Sequence, residues 1–138
     1  MLEWQPFRDE GHPSVQAVGA WLGSMSQLDR EAAVGDILAL RALAANGAIV
    51  EGEDEGYASL KPIRRDPDLF ELRWYMFGKH VRQYHAEPPE MPIKLIDLHL
   101  HLKTIVPRDD AATRSAQDEE ISWAQMRYFG GKSRQWLL

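Results

Sequence analysis

The sequence contains no cysteine. This absence excludes a disulfide framework, a thiolate zinc site, an iron–sulfur cluster and a cysteine nucleophile within the chain. It also has no apolar run near the ~20 residues that a membrane-spanning helix needs. The first residues, 1–13, are partly acidic and lack the apolar core of a signal peptide. We therefore expect a cytoplasmic protein that does not insert into membranes.

The composition is that of an ordinary folded domain. The 138 residues are 44% hydrophobic and 27% charged, which argues against wholesale disorder, and the length fits a single domain over residues 1–138. The net charge of −5 is unevenly distributed. Residues 1–60 hold three Arg against ten Asp and Glu, whereas residues 61–104 hold eight Lys and Arg against six acids and four of the five histidines. A local basic surface in this middle segment can attract phosphate although the whole chain is acidic.

Hydrophobic spacing predicts an α+β order of elements. A short strand is expected at 2–7, then a helix that begins at Pro13 and a second helix that is capped by Ser26, with Asp29 in its first turn, and ends at Asn46–Gly47. The glycine-rich acidic segment 51–56 is expected to be a loop.

The second half changes to strand periodicity. Strands are predicted at 69–77, 81–86 and 93–103, with a turn at Gly78–Lys79, and their short connections favour an antiparallel meander. The segment 109–117 is expected to be a polar loop. A last helix then starts at the acidic residues 118–120 and ends at Gly130–Gly131. We expect a small antiparallel sheet with the two early helices on one face.

Alternation along the third of these strands predicts one apolar and one polar face. Ile96, Leu98, Leu100 and Leu102 are expected to face the helices, and Asp97, His99, His101 and Lys103 to face the other way. Neighbouring strands would add Arg73, Arg82 and Tyr84 to the polar face. Arginine binds phosphate in two-point fashion, histidine exchanges protons near neutral pH, and tyrosine stacks on unpaired bases. This set suits an RNA backbone.

Two other interpretations of this face stay open. Antiparallel sheets often carry a hydrated, charged face with no ligand. The pair His99 and His101 would also suit zinc or iron together with Asp97 or His85. No second matching motif is visible, so we expect no metal site and no cofactor.

Five segments of the sequence resemble segments that occur in the same order in a known toxin family. They are Leu60-Lys61-Pro62-Ile63, Leu69-Phe70-Glu71-Leu72-Arg73-Trp74, Val81-Arg82-Gln83-Tyr84, Leu98-His99-Leu100-His101-Leu102-Lys103-Thr104 and Glu120-Ile121-Ser122-Trp123-Ala124-Gln125-Met126-Arg127. The chain resembles the HigB-like, phage-derived branch of the RelE/ParE toxin superfamily over about residues 57–129.

The resemblance implies a RelE-like fold and the toxin of a type II toxin–antitoxin pair. Such a toxin cuts messenger RNA, usually on the ribosome, without a metal, and is neutralised by a helix-turn-helix antitoxin with which it forms a hetero-oligomer. By position, the catalytic candidates are Arg73, Arg82, His99, His101 and Lys103, with either histidine as the proton-transfer residue. The RNA-binding candidates are Lys61, Arg64, Arg65 and Tyr84.

Two alternative functions remain. A catalytically silent relative that acts as a binding or regulatory protein is favoured by the acidic charge and by Leu102, which stands where the family has a second lysine. A ParE-type toxin that poisons gyrase belongs to the same superfamily.

Overall fold

The computed structural model describes residues 2–46, 54–55, 58–63 and 66–136, and its fold is α+β. Six strands and three helices are assigned within these residues. In chain order they are β1 Glu3–Pro6, α1 Pro13–Gly23, α2 Gln27–Ala45, β2 Asp54–Glu55, β3 Ala58–Ile63, β4 Asp66–Met76, β5 Lys79–Ala86, β6 Lys94–Leu102 and α3 Asp110–Ser133.

The strands lie in the order β1-β6-β5-β4-β3-β2. The predicted antiparallel meander of β4, β5 and β6 is confirmed. The sheet as a whole is mixed, however, because β1 pairs with β6 in parallel. A parallel pair needs a long crossover connection, and the helices α1 and α2 make its first part. The prediction of a purely antiparallel sheet is therefore wrong.

The first helices begin where local side-chain chemistry favours them. Pro13 opens α1, and His12 caps it by accepting a hydrogen bond at Nδ1 from the Ser14 amide, at 3.1 Å. The Ser26 hydroxyl accepts from the Asp29 amide, which confirms the predicted cap of α2.

The segment after α2 differs from its prediction. Within the expected loop 51–56, Asp54–Glu55 forms the short strand β2, and β3 was not predicted at all. The other residues of that loop, and Gly47 at the predicted helix end, lie outside the described residues.

The turn between β4 and β5 lies one residue earlier than predicted. Phe77 and Gly78 both have positive φ angles, 49° and 77°. A two-residue hairpin turn of this handedness matches the twist of the paired strands, and glycine adopts it without a steric penalty.

The last helix is longer than predicted at both ends. Residues 110–117 form its first two turns, because the Asp109 side chain accepts from the Ala112 amide and Asp110 places negative charge in the first turn. The helix also continues through Gly131 to Ser133. A Cβ at Gly131 would lie 2.3 Å from the Trp136 ring, so this glycine lets the C-terminal segment pack on the helix.

A bulge in β6 changes which side chains share a face. Tyr84 pairs with His99 but His85 pairs with Asp97, so Leu98 is an extra residue in β6. Leu98 and Leu100 are both buried, as predicted, but in different hydrophobic clusters. The prediction that the even-numbered residues 96–102 share one face is therefore wrong.

Two hydrophobic clusters lie on the two sides of the sheet. One joins α1 and α2 to the sheet, through residues such as Val18, Ala33, Leu40, Leu72, Trp74, Val81, Leu95 and Leu100. The other joins α3 to the sheet, through Leu69, Tyr84, Ala86, Ile96, Leu98, Ala124 and Tyr128. Both faces of β6 are thus buried.

Candidate functional site

The polar side chains that were expected to be open to solvent lie beneath α3. Tyr84 is fully buried, His99 and His101 are each 1% exposed, and Arg82 is 6% exposed. The prediction of an open polar sheet face is wrong. The physical reason is the unexpected length of α3, whose first turns lie over these strands and supply polar partners to them.

His101, Tyr84 and Gln117 form a directed chain of hydrogen bonds. The Gln117 amide nitrogen donates to the Tyr84 hydroxyl oxygen at 2.8 Å. That hydroxyl lies 3.0 Å from Nε2 of His101, and Nδ1 of His101 lies 3.1 Å from the Leu102 carbonyl. A carbonyl only accepts, so Nδ1 carries the proton and Nε2 accepts from the tyrosine. The chain fixes a neutral imidazole in one tautomer.

The electrostatics of these two groups agree with that assignment. Burial lowers the pKa of His101 to about 4, although the nearby Glu120 carboxylate opposes this. Burial also raises the pKa of the Tyr84 hydroxyl. Both side chains are therefore uncharged at neutral pH.

His99 has a different partner. Its Nε2 lies 2.5 Å from a carboxylate oxygen of Glu120, on α3. The other oxygen of Glu120 accepts from the Ser14 hydroxyl at 2.8 Å. Burial alone would raise the pKa of Glu120, but the hydrogen bond from His99, the nearby His101 and the hydrogen bond from Ser14 together lower it. An ionised carboxylate thus orients the His99 ring.

The two arginines of the predicted site contact one carboxylate. Arg82 Nε lies 3.0 Å from Glu71 Oε1, and Arg73 Nε lies 3.8 Å from the same atom. The Arg73 side chain is 17% exposed and the Arg82 side chain 7%. Arg73 is therefore the arginine of this pair that solvent reaches more readily.

The remaining predicted site residues are peripheral or outside the described residues. Lys103 is half-buried just after β6, and its amide donates to the His80 carbonyl at 2.7 Å. Lys61 lies on β3, where its backbone is paired with Glu71. Arg64 and Arg65 lie outside the described residues.

Asp97 lies on the α2 side of the sheet, away from the two histidines. Its Oδ2 accepts from Arg8 at 3.2 Å. Burial raises the pKa of Asp97, and the positive charges of Arg8 and Arg41 oppose that shift. His85 packs against the Trp4 ring on this same side. The four residues of the alternative metal site are therefore divided between two faces, and the described residues contain no cluster of three potential His, Asp or Glu ligands.

Sequence reasoning missed three residues that contact the histidines or the Tyr84 hydroxyl bonded to His101. Glu120 and Gln117 come from α3, and His12 comes from the start of α1, with its ring centroid 4.9 Å from that of His99. The only sequence signal was the cluster of acidic residues at 118–120. Contacts between residues far apart in the sequence produce no hydrophobic periodicity from which they could be predicted.

Two openings at the protein surface flank the pair His99–Glu120. A cavity of about 350 Å³ is lined by Ser14, Leu102, Thr104 and Glu120, among others. A second cavity, of about 300 Å³, is lined by Asp9, His12, His99, Trp123, Met126, Arg127, Gly130 and Arg134. The pair thus lies between two openings, with the carboxylate on one and the imidazole on the other.

The pair has the arrangement of a proton-transfer centre. A carboxylate that holds one imidazole nitrogen leaves the other nitrogen to exchange protons with a bound molecule. This is the chemical capability that the geometry supplies at the surface.

Compared with protein-family models, with curated proteins and with solved structures, the chain gives no match. None of the helices in the described part of the chain has the length and apolar character needed to cross a bilayer.

Proposed function

We propose that this protein is the toxin of a type II toxin–antitoxin system, an endoribonuclease that cuts messenger RNA on the ribosome without a metal ion. The observation that carries the proposal is the imidazole of His99 held by the Glu120 carboxylate beside two surface openings. His99 lines one of these openings, so an RNA bound there would lie beside a group able to transfer protons. The consequence for the cell would be inhibition of translation in the cytoplasm.

The proposed reaction is an internal attack on the RNA backbone. The 2′-oxygen forms a bond to the neighbouring phosphorus, and the bond from phosphorus to the 5′-oxygen breaks. The imidazole takes the 2′-hydroxyl proton and then gives that proton to the departing 5′-oxygen, so that it ends the reaction neutral and the protons balance. His99 is the proton-transfer residue of this proposal, and the side chains of Arg73 and Lys103 are its electrostatic helpers.

The order of elements supports the resemblance on which the toxin assignment rests. A strand, two helices, a meander and a C-terminal helix follow one another as a RelE-like fold implies. A helix-turn-helix antitoxin that forms a hetero-oligomer with the toxin belongs to this same proposal.

The buried candidates take a different role in the proposal. Arg82 contacts Glu71, and Tyr84 and His101 contact each other beneath α3. We assign them to positioning, because all three are buried and, unlike His99 and Glu120, none of them lines either surface opening. The same burial favours a second candidate function, a catalytically silent relative that binds an antitoxin or another partner.

The test is an induction experiment with and without the neighbouring gene, followed by mapping of RNA 5′ ends. A ribonuclease produces new ends inside coding sequences that disappear when the antitoxin is present. Growth arrest with DNA damage and no new RNA ends would instead indicate the gyrase-inhibiting alternative. No arrest and no new ends would support the silent relative.

Glu120→Gln supplies the matched variant. We expect this change to lower the cleavage rate by ~10²–10⁴-fold, because an amide cannot stabilise a protonated His99 ring. Its control is Glu119→Gln, on the exposed side of the same helix turn, which should cleave like the unchanged protein. Equal activity in both variants would contradict the assigned centre.

Removal of transition-metal ions tests the metal-independent chemistry. A chelator selective for transition metals, which leaves the magnesium that ribosomes need, should leave cleavage of ribosome-bound RNA unchanged, since the proposed step uses only imidazole and charged side chains. A loss of activity that zinc or iron restores would overturn this part of the proposal.

A further inference from the structure

The cavity of about 300 Å³ between the start of α1 and the second half of α3 is lined by basic, aromatic and apolar side chains together. We call it the α1–α3 pocket. Its volume is at the lower end of the ~300–1,000 Å³ typical of ligand sites. Two histidines, two arginines and one large aromatic residue line it, and they come from parts of the chain that are more than a hundred residues apart.

One wall of the α1–α3 pocket is aromatic and apolar. The His12 ring lies edge-on to both the His99 and Trp123 rings, each at 4.9 Å between centroids. Met126 completes this wall and is 63% exposed. An exposed methionine beside a tryptophan offers a flat apolar surface of the kind on which nucleic-acid bases stack.

The other wall carries positive charge. Arg127 is fixed in place, since its Nε donates to the Phe7 carbonyl at 3.0 Å and its guanidinium lies 4.4 Å from the Phe7 ring centroid. Arg134 follows α3 and is exposed. Asp9 is the single acidic residue among the described lining residues. The charges of the lining therefore sum to a positive value, in a protein that is acidic overall.

We propose that the α1–α3 pocket binds one nucleotide of a single-stranded RNA, with the base on Trp123 and Met126 and the phosphate beside Arg134, Arg127 and His12. This inference rests on the proposed function and names its substrate site. It moves RNA binding from the sheet strands to a cleft between two helices. It also places the bound phosphate next to the His99 ring.

A short RNA that cannot be cut separates binding from cleavage. The probe is a fluorescein-labelled hexanucleotide with 2′-O-methyl groups, titrated with the full chain at low salt while anisotropy is measured. Arg134→Ala should weaken binding about tenfold, and Met126→Asp should weaken it to a similar extent by removing the apolar wall. Both residues are exposed, so both variants keep the fold.

The matched control is Arg114→Ala, an exposed arginine twenty residues earlier, near the start of α3. At 1.5 Å per residue it lies ~30 Å from Arg134 along the helix axis. We expect it to change affinity less than twofold. A second readout is the intrinsic tryptophan fluorescence, which the RNA should quench in the unchanged protein but much less in Trp123→Phe.

The outcomes keep the two proposals apart. Equal affinities for Arg134→Ala and Arg114→Ala, or no binding of the oligonucleotide at all, would overturn the pocket inference. So would equally tight binding of inorganic polyphosphate, or binding of an acidic peptide in place of RNA. Binding that depends on Arg134 and Met126, together with uncut natural RNA, supports the pocket and contradicts the ribonuclease proposal. Cleavage that Arg134→Ala leaves unchanged supports the ribonuclease proposal and contradicts the pocket inference.

Discussion

Asp97 and His101 are four residues apart on β6, both almost fully buried, yet their surroundings differ. His101 lies under α3, and both of its ring nitrogens have partners, the Tyr84 hydroxyl and the Leu102 carbonyl. Asp97 lies on the α2 side, where Oδ2 accepts from Arg8 but Oδ1 has no well-aligned hydrogen bond among the described residues. Both ring nitrogens of His101 thus have hydrogen-bond partners, whereas the Asp97 carboxyl is only partly satisfied and its burial raises its pKa.

This difference shows what α3 contributes to the protein. Polar side chains are tolerated in a core when each donor and acceptor has a partner, whereas a buried charge carries a desolvation cost that an ion pair only partly offsets. Gln117 and Glu120 of α3 hydrogen-bond to Tyr84 and His99, whereas Asp97 Oδ1 on the α2 side has no well-aligned partner among the described residues. The polar residues under α3 therefore hold two buried imidazoles in fixed orientations through hydrogen bonds.

The largest expected effect is the acid sensitivity that His101 confers. Its pKa is about 4 in the folded protein, against an ordinary value of 6.5, so the unfolded chain takes up the proton first as the pH falls. The contribution of the neutral His101 side chain to the stability of the folded protein is complete above pH ~6.5 and is lost progressively towards pH 4. The size is on the order of 3 kcal/mol.

Urea unfolding at half-unit steps between pH 7.5 and pH 4 measures this slope. We expect His101→Gln to lower stability at pH 7 but to flatten the slope below pH 6.5. Asp36→Asn, an exposed change on α2, should retain the slope, which makes it the matched control. An unchanged slope in His101→Gln would show that the proton is taken up elsewhere.

A smaller effect is expected when the hydrogen-bond chain is interrupted at its centre. Tyr84→Phe keeps the buried ring but leaves Nε2 of His101 and the Gln117 amide without the hydroxyl between them. The expected cost in unfolding free energy is ~1–3 kcal/mol, the usual penalty for buried groups that lose their partner.

The control for this variant is Tyr75→Phe on the neighbouring strand. Tyr75 is 42% exposed, so the loss of its hydroxyl should change stability by less than ~0.5 kcal/mol. Similar losses of unfolding free energy in both tyrosine variants would mean that the hydrogen-bond chain beneath α3 stabilises the protein no more than a solvent-exposed hydroxyl does.

The sequence was informative about elements whose signals are local. The helix start at Pro13, the Ser26 cap, and the aromatic and branched residues of β4 to β6 act within a few positions and predicted these helices and strands correctly. They also located the histidines on a strand.

The assignment of faces failed because it depends on a neighbouring strand. Leu98 looks like any other position in an alternating pattern, and only its pairing with β5 shows that it is an extra residue. One bulge then moved Ile96 and Leu98 to the α3 side and kept Leu100 on the other.

The start of α3 was missed for a related reason. Residues 110–117 have little apolar periodicity, so the segment resembles a loop by pattern. Its helical form depends on the Asp109 cap and on the contact between Gln117 and the buried Tyr84. A residue whose role is set by a distant partner cannot be recognised from its own surroundings in the chain.

The smallest effect expected is that of removing the charge on Asp97. Burial raises the pKa of this carboxyl in the folded protein, so the carboxyl costs stability at neutral pH, and that cost falls as the pH drops from the folded pKa to the ordinary one. Asp97→Asn should therefore unfold within ~1 kcal/mol of the unchanged protein at pH 7, on the more stable side. This advantage should shrink on acidification. Asp36→Asn, an exposed change on α2, should show no such trend. A loss of ~3–5 kcal/mol in Asp97→Asn at pH 7 would instead mean that the contacts of Asp97 with Arg8 and Arg41 stabilise the fold, and that the two sides of β6 are alike after all.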